Sequence, residues 1–469
     1  MKTNASMTTS AAIKSCIVLC LLTVLSAGAC HKEDKDKDKG KSAVTGMGTG
    51  TGSNAPEPST NPPPPPPSAG STEVTVSCGS VGPDFDSCKA GVEAWEKKSG
   101  HTAKLVAGPT SATEVLALYQ QLLAASASDV DVLRIDVVWP GILSNFLIDL
   151  KPYSKGAEKD HFPSIVANNT VDGHLVAMPW YTDAGLLYYR KDLLEKYGEA
   201  VPTTWDQFNK TAKKIQDAER KAGQKELWGF VFQGKAYEGL TCNALEWVTS
   251  YGGGNVVESD GKVSIDNPKA AAALTMAASW VGDISPPGVL SYEEEEARGV
   301  FQAGNAVFMR NWPYAWSLSQ GPDSPVKGKV GVVTLPKAEG GRGAATLGGW
   351  NLSVSKFSKH PEVAADLVMY LTGFEEQKRR AVKYSYQPTI PRVYEDKDVL
   401  GPNPFFASLV EIFKNSVPRP STVTGGKYNQ VSSAFWNAAH AVLSKEKSAK
   451  DSLTDLASTL DRLGKGGKW

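Results

Sequence analysis

A chain of 469 residues is about three times the length of a usual single domain, and its 41% hydrophobic and 9% aromatic content supplies a sizeable core. This excludes a wholly disordered protein and a disulfide-stapled miniature. Lys+Arg and Asp+Glu both number 50, so no net field draws in nucleic acid, an anionic membrane surface or an acidic polymer, and a partner must be uncharged or recognised locally.

Residues 1–72 differ sharply from the rest. They hold no Trp, Tyr or Phe and eight of the 29 prolines, so they cannot join a packed domain. Without them 43 basic and 45 acidic groups remain, a formal charge of −2. Residues 1–29 read as a secretory signal peptide: Lys2 and Lys14 provide positive charge, 16–25 form an apolar run and 26–29 are small. The run is too short to span a bilayer as a helix. Ala27-Gly28-Ala29-Cys30 resembles the lipobox of bacterial lipoproteins, in which the cysteine, here Cys30, is acylated and becomes the mature amino terminus. Ala27 stands where that pattern usually has Leu, and an unlipidated signal cleaved after Ala29 is the alternative. Residues 30–72 then read as a disordered, lipid-tethered linker: 31–40 mixes Lys with Asp and Glu, 42–53 is rich in Gly, Ser and Thr, and 62–67 is a run of prolines. The glycine-rich part is a flexible coil and the proline run a stiff polyproline II spacer. Asp34, Asp36 and Asp38 imitate a calcium loop, but the glycine falls at Gly40 and the twelfth position is Thr45 rather than Glu, which argues against calcium.

In the folded part 74–78 is strand-like, and 84–100 carries Phe85, Cys88, Val92 and Trp95 at helical spacing with a glycine at its end. In an oxidising compartment Cys78 and Cys88 can close a short loop, leaving Cys242 as a buried thiol. The His residues are scattered singly and no Cys or His pair has zinc spacing. Ser111 to Glu114 forms a capping box for a helix through Leu116 and Leu123, ahead of an apolar strand over 130–139. This β-α-β-α-β order predicts a parallel α/β sheet. The pattern restarts after about residue 183. There 186–190 reads as a strand, Thr204 caps a helix with Phe208, Ala212 and Ile215 on its apolar face, and a last helical region spans 429–463. Two such patterns with no linker between them predict two coupled lobes, a ligand in the cleft between them and a hinge.

Catalytic motifs are missing: there is no G-x-S-x-G elbow, Walker loop, H-E-x-x-H or dinucleotide fingerprint, and the glycine repeat at 46–52 lies in the linker. Aromatic and carboxylate residues at strand ends and loops remain. Asp136 follows the apolar strand and Asp183 follows Pro179-Trp180-Tyr181-Thr182; both are expected to point into the cleft. A carboxylate accepts two hydrogen bonds from neighbouring hydroxyls, which suits a polyol. Trp312, Tyr314 and Trp350 offer flat faces to a pyranose ring, and Gly348 and Gly349 let a ligand approach backbone N–H groups. Trp95, Trp205, Trp228, Trp247 and Trp280 are assigned to the core. Asp183 as a helix cap and Arg419 as a surface charge are the alternatives that spacing leaves open. The run Glu293 to Glu296 is most simply the acidic first turn of a helix.

Residues 179–198 (PWYTDAGLLYYRKDLLEKYG), 301–316 (FQAGNAVFMRNWPYAW) and 346–353 (TLGGWNLS) resemble extracellular solute-binding proteins, family 1, of bacterial and archaeal ABC sugar importers, nearest the trehalose/maltose-binding branch. Segments 78–92, 112–125 and 130–141 resemble the same branch, so the likeness covers nearly all of 73–469. It implies an α/β fold, the two-lobe, hinged type II periplasmic-binding-protein fold, each lobe a mostly parallel sheet flanked by helices. The implied lobes are 73–182 plus 346–395 and 183–345 plus 396–469. The implied ligand set is Asp84, Asp136 and Asp183 on sugar hydroxyls, Tyr181, Trp312, Tyr314 and Trp350 as stacking or edge contacts, Gly348 and Gly349 as backbone donors, Arg419 as a guanidinium fork, and Ser111. Asp84 stands where Glu is common in that family, a carboxylate one methylene shorter. The resemblance further implies a non-enzymatic, monomeric receptor without a cofactor or bound nucleic acid, exported to the periplasm or outer cell surface. It would hold trehalose or maltose and hand it to the transmembrane subunits of an ABC permease. A secreted glycoside hydrolase using the cleft carboxylates and a sensory sugar-binding module are the rivals.

Overall fold

Every residue of the strand Val132–Asp136 is buried, the pattern of a strand covered on both faces, and around it the larger of two sheets is built. The structure, a computed structural model, describes residues 70–80, 82–408, 412 and 416–469. The expected signal peptide, Cys30 and nearly all of the expected linker lie outside the described residues. Among the described residues the strands are β1 (Glu73–Ser77), β2 (Thr102–Val106), β3 (Val132–Asp136), β4 (Thr170–Val171), β5 (His174–Leu175), β6 (Met178–Ala184), β7 (Leu186–Arg190), β8 (Trp228–Val231), β9 (Ala306–Asn311), β10 (Val330–Val333), β11 (Ala345–Val354) and β12 (Ser416–Val417). A six-stranded sheet has the order β12-β11-β3-β1-β2, with β6 also paired to β11; a second sheet has the order β10-β7-β9-β8, and β4 and β5 form a small hairpin.

Strand direction explains how the two sheets communicate. β1, β2 and β3 are parallel, while β11 runs antiparallel to both β3 and β6. In the second sheet β8 and β9 are parallel and β7 runs against β9 and β10. β6 in the first sheet leads directly through Gly185 into β7 of the second. No side chain fits at that crossing, since a Cβ on Gly185 would lie 2.0 Å from a Glu246 carboxylate oxygen.

The strand-helix-strand order expected for the first part is present, with helices at Pro83–Ser99 and Ala112–Ala124. Ser111 occupies the N-cap position of the second helix, but its side chain makes no capping bond, so the expected capping box does not form. The hydroxyl of Thr113 instead accepts from the backbone N–H of Glu238 at 3.2 Å, on the Glu238–Ser250 helix. Thr204 caps the Trp205–Lys221 helix, accepting from Gln207 N–H at 3.3 Å. The last helical region is broken into Tyr428–Leu443 and Ala449–Gly464: Lys445 turns into the left-handed region at φ 64°, and Ser448 then caps a new helix by accepting from Asp451 N–H at 3.2 Å.

The core matches the assignment for Trp95, Trp205, Trp247 and Trp280, each 1% exposed. Phe208, Phe230 and Phe232 pack around Trp280 with centroids 5.3–6.1 Å apart, a geometry worth about 0.5–1.5 kcal/mol per aromatic pair beyond area burial. Trp228 departs from the assignment: it is only partly buried, with the Arg220 guanidinium 4.2 Å from its ring centroid. Among the described residues no helix is long and apolar enough to cross a membrane.

Candidate functional site

Strand register alone brings six candidate residues to one place. β11 lies between β3 and β6, so Trp350 pairs with Asp136 on one side and Tyr181 on the other, while Gly348 pairs with Asp183 and Gly349 with Thr182. Gly349 has φ 124°, and a Cβ there would stand 2.4 Å from the Tyr181 carbonyl oxygen; only glycine permits this backbone. At Gly348 a Cβ would lie 3.0 Å from the edge of the Trp312 ring. Asp84, Asp136, Tyr181, Asp183, Trp312, Tyr314, Gly348, Gly349, Trp350 and Arg419 all line a single cleft. Ser111 does not: it is 3% exposed and its neighbours Thr110 and Ala112 line the cleft in its place.

The three aspartates sit in different electrostatic settings. Asp84 is ion-paired with Arg134 and accepts from the Tyr386 hydroxyl at 2.9 Å. Asp136 accepts from Arg419 at 2.8 Å and from the backbone N–H of Val138 at 3.1 Å. Arg419 is no surface charge: it is 4% exposed and its other Nη donates to Glu238 at 2.8 Å. Glu238 also accepts from Tyr428 and, at 2.7 Å, from Ser432. Burial raises the Glu238 carboxyl above its ordinary range while Arg419 opposes that shift. Asp183, 7% exposed, has a buried Oδ1 without a hydrogen-bond partner. Burial pushes its carboxyl well above the ordinary range, Arg380 acting against this and Asp136 and Asp84 adding to it.

The aromatic residues are held by charge. The Arg134 guanidinium lies 3.8 Å from the Trp350 centroid, and Trp139 meets Trp350 edge-on at 5.3 Å. Arg310 lies 3.9 Å from the Trp312 centroid and is itself bound to Glu246.

Sequence reasoning missed the role of the acidic run. Glu293 and Glu296 do form a capping box for the helix Glu294–Gln302, but all four carboxylates line the cleft. Glu294 accepts from Tyr237 at 2.7 Å and from the Trp312 indole at 3.1 Å, and Glu295 accepts from Tyr314 at 2.6 Å. Arg134, Tyr386 and Glu238 were also missed.

Cys78 and Cys88 form a disulfide, closing the loop that carries Ser80, Pro83 and Asp84 into the cleft. Replacing both with serine is expected to lower the unfolding free energy by roughly 2–3 kcal/mol, the loop-closure value for so short a ring, measured by urea denaturation; an unchanged midpoint would refute that contribution. Cys242 is a buried free thiol, pushed by burial to about 12. Among the described residues no group of three or more His, Cys, Asp or Glu is placed to hold a metal ion.

Residues 79–378 match the family model of bacterial extracellular solute-binding proteins. A Deinococcus radiodurans protein named "probable ABC transporter-binding protein" is 55% identical over 403 residues, which is 86% of this chain and 96% of that protein. A maltose-bound MalE3 of T. maritima superposes with a TM-score of 0.79 at 42% identity, over 83% of this chain and 99% of that one. A solute-binding protein of Thermotoga lettingae, solved with α-D-tagatose, shares the fold at a TM-score of 0.75 and 22% identity, over 84% of this chain and all of that one.

Proposed function

Because this chain belongs to the bacterial extracellular solute-binding proteins, we propose that it serves an ABC importer by capturing an α-linked disaccharide, maltose or trehalose, in its cleft and passing it to the permease. The observation that carries this reading is the cleft itself: Asp183 with an unpartnered buried oxygen, flanked by Trp312, Tyr314 and Trp350. Such a carboxylate accepts hydroxyls while flat rings cover the C–H faces of a pyranose. The 42% identity with a maltose-bound relative points to the same ligand class. In this reading the lobes are 73–182 plus 346–395 and 183–345 plus 396–469. They close on the sugar by shifting a pre-existing equilibrium, and Cys30 carries the lipid that tethers the exported, monomeric protein.

Of the three carboxylates that a hydrolase would use, Asp84 and Asp136 are each clamped by a guanidinium, which leaves Asp183 without the second free carboxyl that glycoside hydrolysis needs. Calorimetric titration of the purified protein with maltose, trehalose, sucrose and sn-glycerol phosphate tests the reading. Saturable binding of maltose or trehalose tighter than about 10 µM, near −7 kcal/mol, is expected, with no glucose released on prolonged incubation. Failure of both disaccharides to bind would sink it.

A further inference from the structure

Every polar atom of Trp312 is engaged. Its backbone N–H donates to the Asn311 side-chain oxygen at 2.8 Å, its carbonyl accepts from the Tyr188 hydroxyl at 2.7 Å, and its indole N–H donates to Glu294 at 3.1 Å. The Arg310 guanidinium, 3.9 Å from the ring centroid, covers one face, so the opposite face is the one a sugar can meet. Asn311, fully buried, makes a second link: its Nδ2 donates to the Glu294 carbonyl at 3.1 Å while its oxygen holds the Trp312 N–H. Glu294 is thus joined to Trp312 twice, directly through its carboxylate and through Asn311 at its backbone. Its other carboxylate oxygen accepts from Tyr237 at 2.7 Å. The neighbouring Glu293 and Glu295 are ion-paired with Lys235 and Arg298, each at 2.5 Å, whereas both side-chain donors to Glu294 belong to aromatic residues of the cleft.

We propose that Glu294 is a positioning residue for the sugar site: its carboxylate holds the Trp312 indole in the plane that presents the uncovered ring face to a pyranose. The inference rests on Trp312 being a sugar contact. Stacking on a sugar depends on the plane of the ring, and a ring fixed before the ligand arrives loses less conformational freedom on binding. An indole N–H that donates to a carboxylate makes a charge-assisted bond, and a bond at the edge of the ring opposes rotation about the last side-chain torsion. The helix Glu294–Gln302 supplies this carboxylate from its first turn, where the helix dipole favours an acid. Its capping box is built from Glu293 and Glu296 and does not use the Glu294 side chain, so capping does not account for that carboxylate. Because both Glu294 oxygens already accept from cleft aromatics, the residue acts through Trp312 rather than on the sugar.

The test follows the tryptophan indole N–H signals by 15N NMR in the sugar-free protein, that of Trp312 assigned by its loss in Trp312→Phe, together with calorimetric titration of maltose. In Glu294→Ala the Trp312 indole proton is expected to shift upfield and exchange faster with water. Maltose affinity should fall about tenfold, the order of one charge-assisted hydrogen bond, while Glu294→Gln, which keeps an acceptor oxygen, should stay within about threefold of the wild-type protein. Glu294→Met should repeat the Glu294→Ala result if that variant does not fold. In a Trp312→Phe background, which keeps a ring but no N–H, adding Glu294→Ala should change affinity by less than about twofold. An indole signal that does not move overturns the inference whatever happens to the sugar. So does an affinity loss that persists undiminished in the Trp312→Phe background, the mark of a direct sugar ligand or a merely structural role. If the wild-type protein binds no maltose, the proposed function fails while the indole signal still decides whether Glu294 holds the ring.

Discussion

Replacing Arg419 with alanine is expected to lower the unfolding free energy by about 3–5 kcal/mol and to abolish disaccharide binding. The size of the effect comes from what the side chain leaves behind. Asp136 and Glu238 are both buried, both bonded to Arg419 at 2.8 Å, and no other cation is bonded to either among the described residues. Removing the guanidinium strands two carboxylates in a low-dielectric interior, which costs far more than the net worth of the ion pairs. Lysine is not a conservative substitute, because a single ammonium cannot present the fork that reaches both acids at once. The pH dependence has a definite sign. Burial already raises the Glu238 carboxyl and Arg419 opposes it, so in the alanine variant it titrates higher still. A group raised in the folded state adds stability below its unfolded value and loses it as pH climbs through the folded one. The deficit of Arg419→Ala should therefore be larger at pH 8 than at pH 5. Urea denaturation of both proteins at the two pH values checks this; a deficit below about 1 kcal/mol, or one independent of pH, would contradict the bridging role.

Arg419 also shows where the sequence was legible and where it was not. Lying between Pro418 and Pro420, it read by spacing as a surface charge and only through the family resemblance as a ligand, because local spacing carries no information about a partner 283 residues away. Asp136 and Asp183 were readable for the opposite reason: they stand at or next to the ends of apolar strands, and period-two strand geometry with short connections places such ends together; Trp350 was marked only by its flanking glycines, and it lies inside β11 rather than in a loop. The core tryptophans were readable from helical and strand periodicity, except Trp228, whose ring is covered by Arg220 rather than by apolar side chains. The acidic run at 293–296 was read correctly as a helix start, yet its cleft-facing role depends on Trp312, Tyr314 and Tyr237 arriving from other segments. The break at 444–448 was missed because periodicity continues through it, whereas the serine cap and left-handed lysine that end one helix and start the next are local signals of a weaker kind. Arg134 and Arg380 required the folded chain, since a buried cation is defined by what surrounds it.

Asp183→Asn is expected to weaken disaccharide binding at least about tenfold, near 1.4 kcal/mol, while raising the stability of the sugar-free protein. The two effects share one cause. Without sugar, Asp183 is buried, its Oδ1 has no hydrogen-bond partner, and its carboxyl is pushed well above the ordinary range chiefly by burial. At neutral pH the folded state therefore bears the cost either of the buried charge or of the proton that removes it, a strain of the kind that collects where a ligand will later satisfy it. Because the carboxyl is raised on folding, its favourable contribution is complete at low pH and disappears as pH rises through the folded value. Asparagine, which carries no charge, should give little stabilisation near pH 4 and about 1 kcal/mol or more at pH 8. With sugar present the balance reverses, because hydroxyls donate more strongly to a carboxylate than to an amide oxygen. Thermal melts at both pH values, paired with calorimetric titration of maltose, measure the two halves. If the variant binds as tightly as the wild-type protein, Asp183 is not a sugar ligand; if it is less stable at pH 8, the carboxylate is compensated in the empty cleft and the trade between stability and binding does not exist.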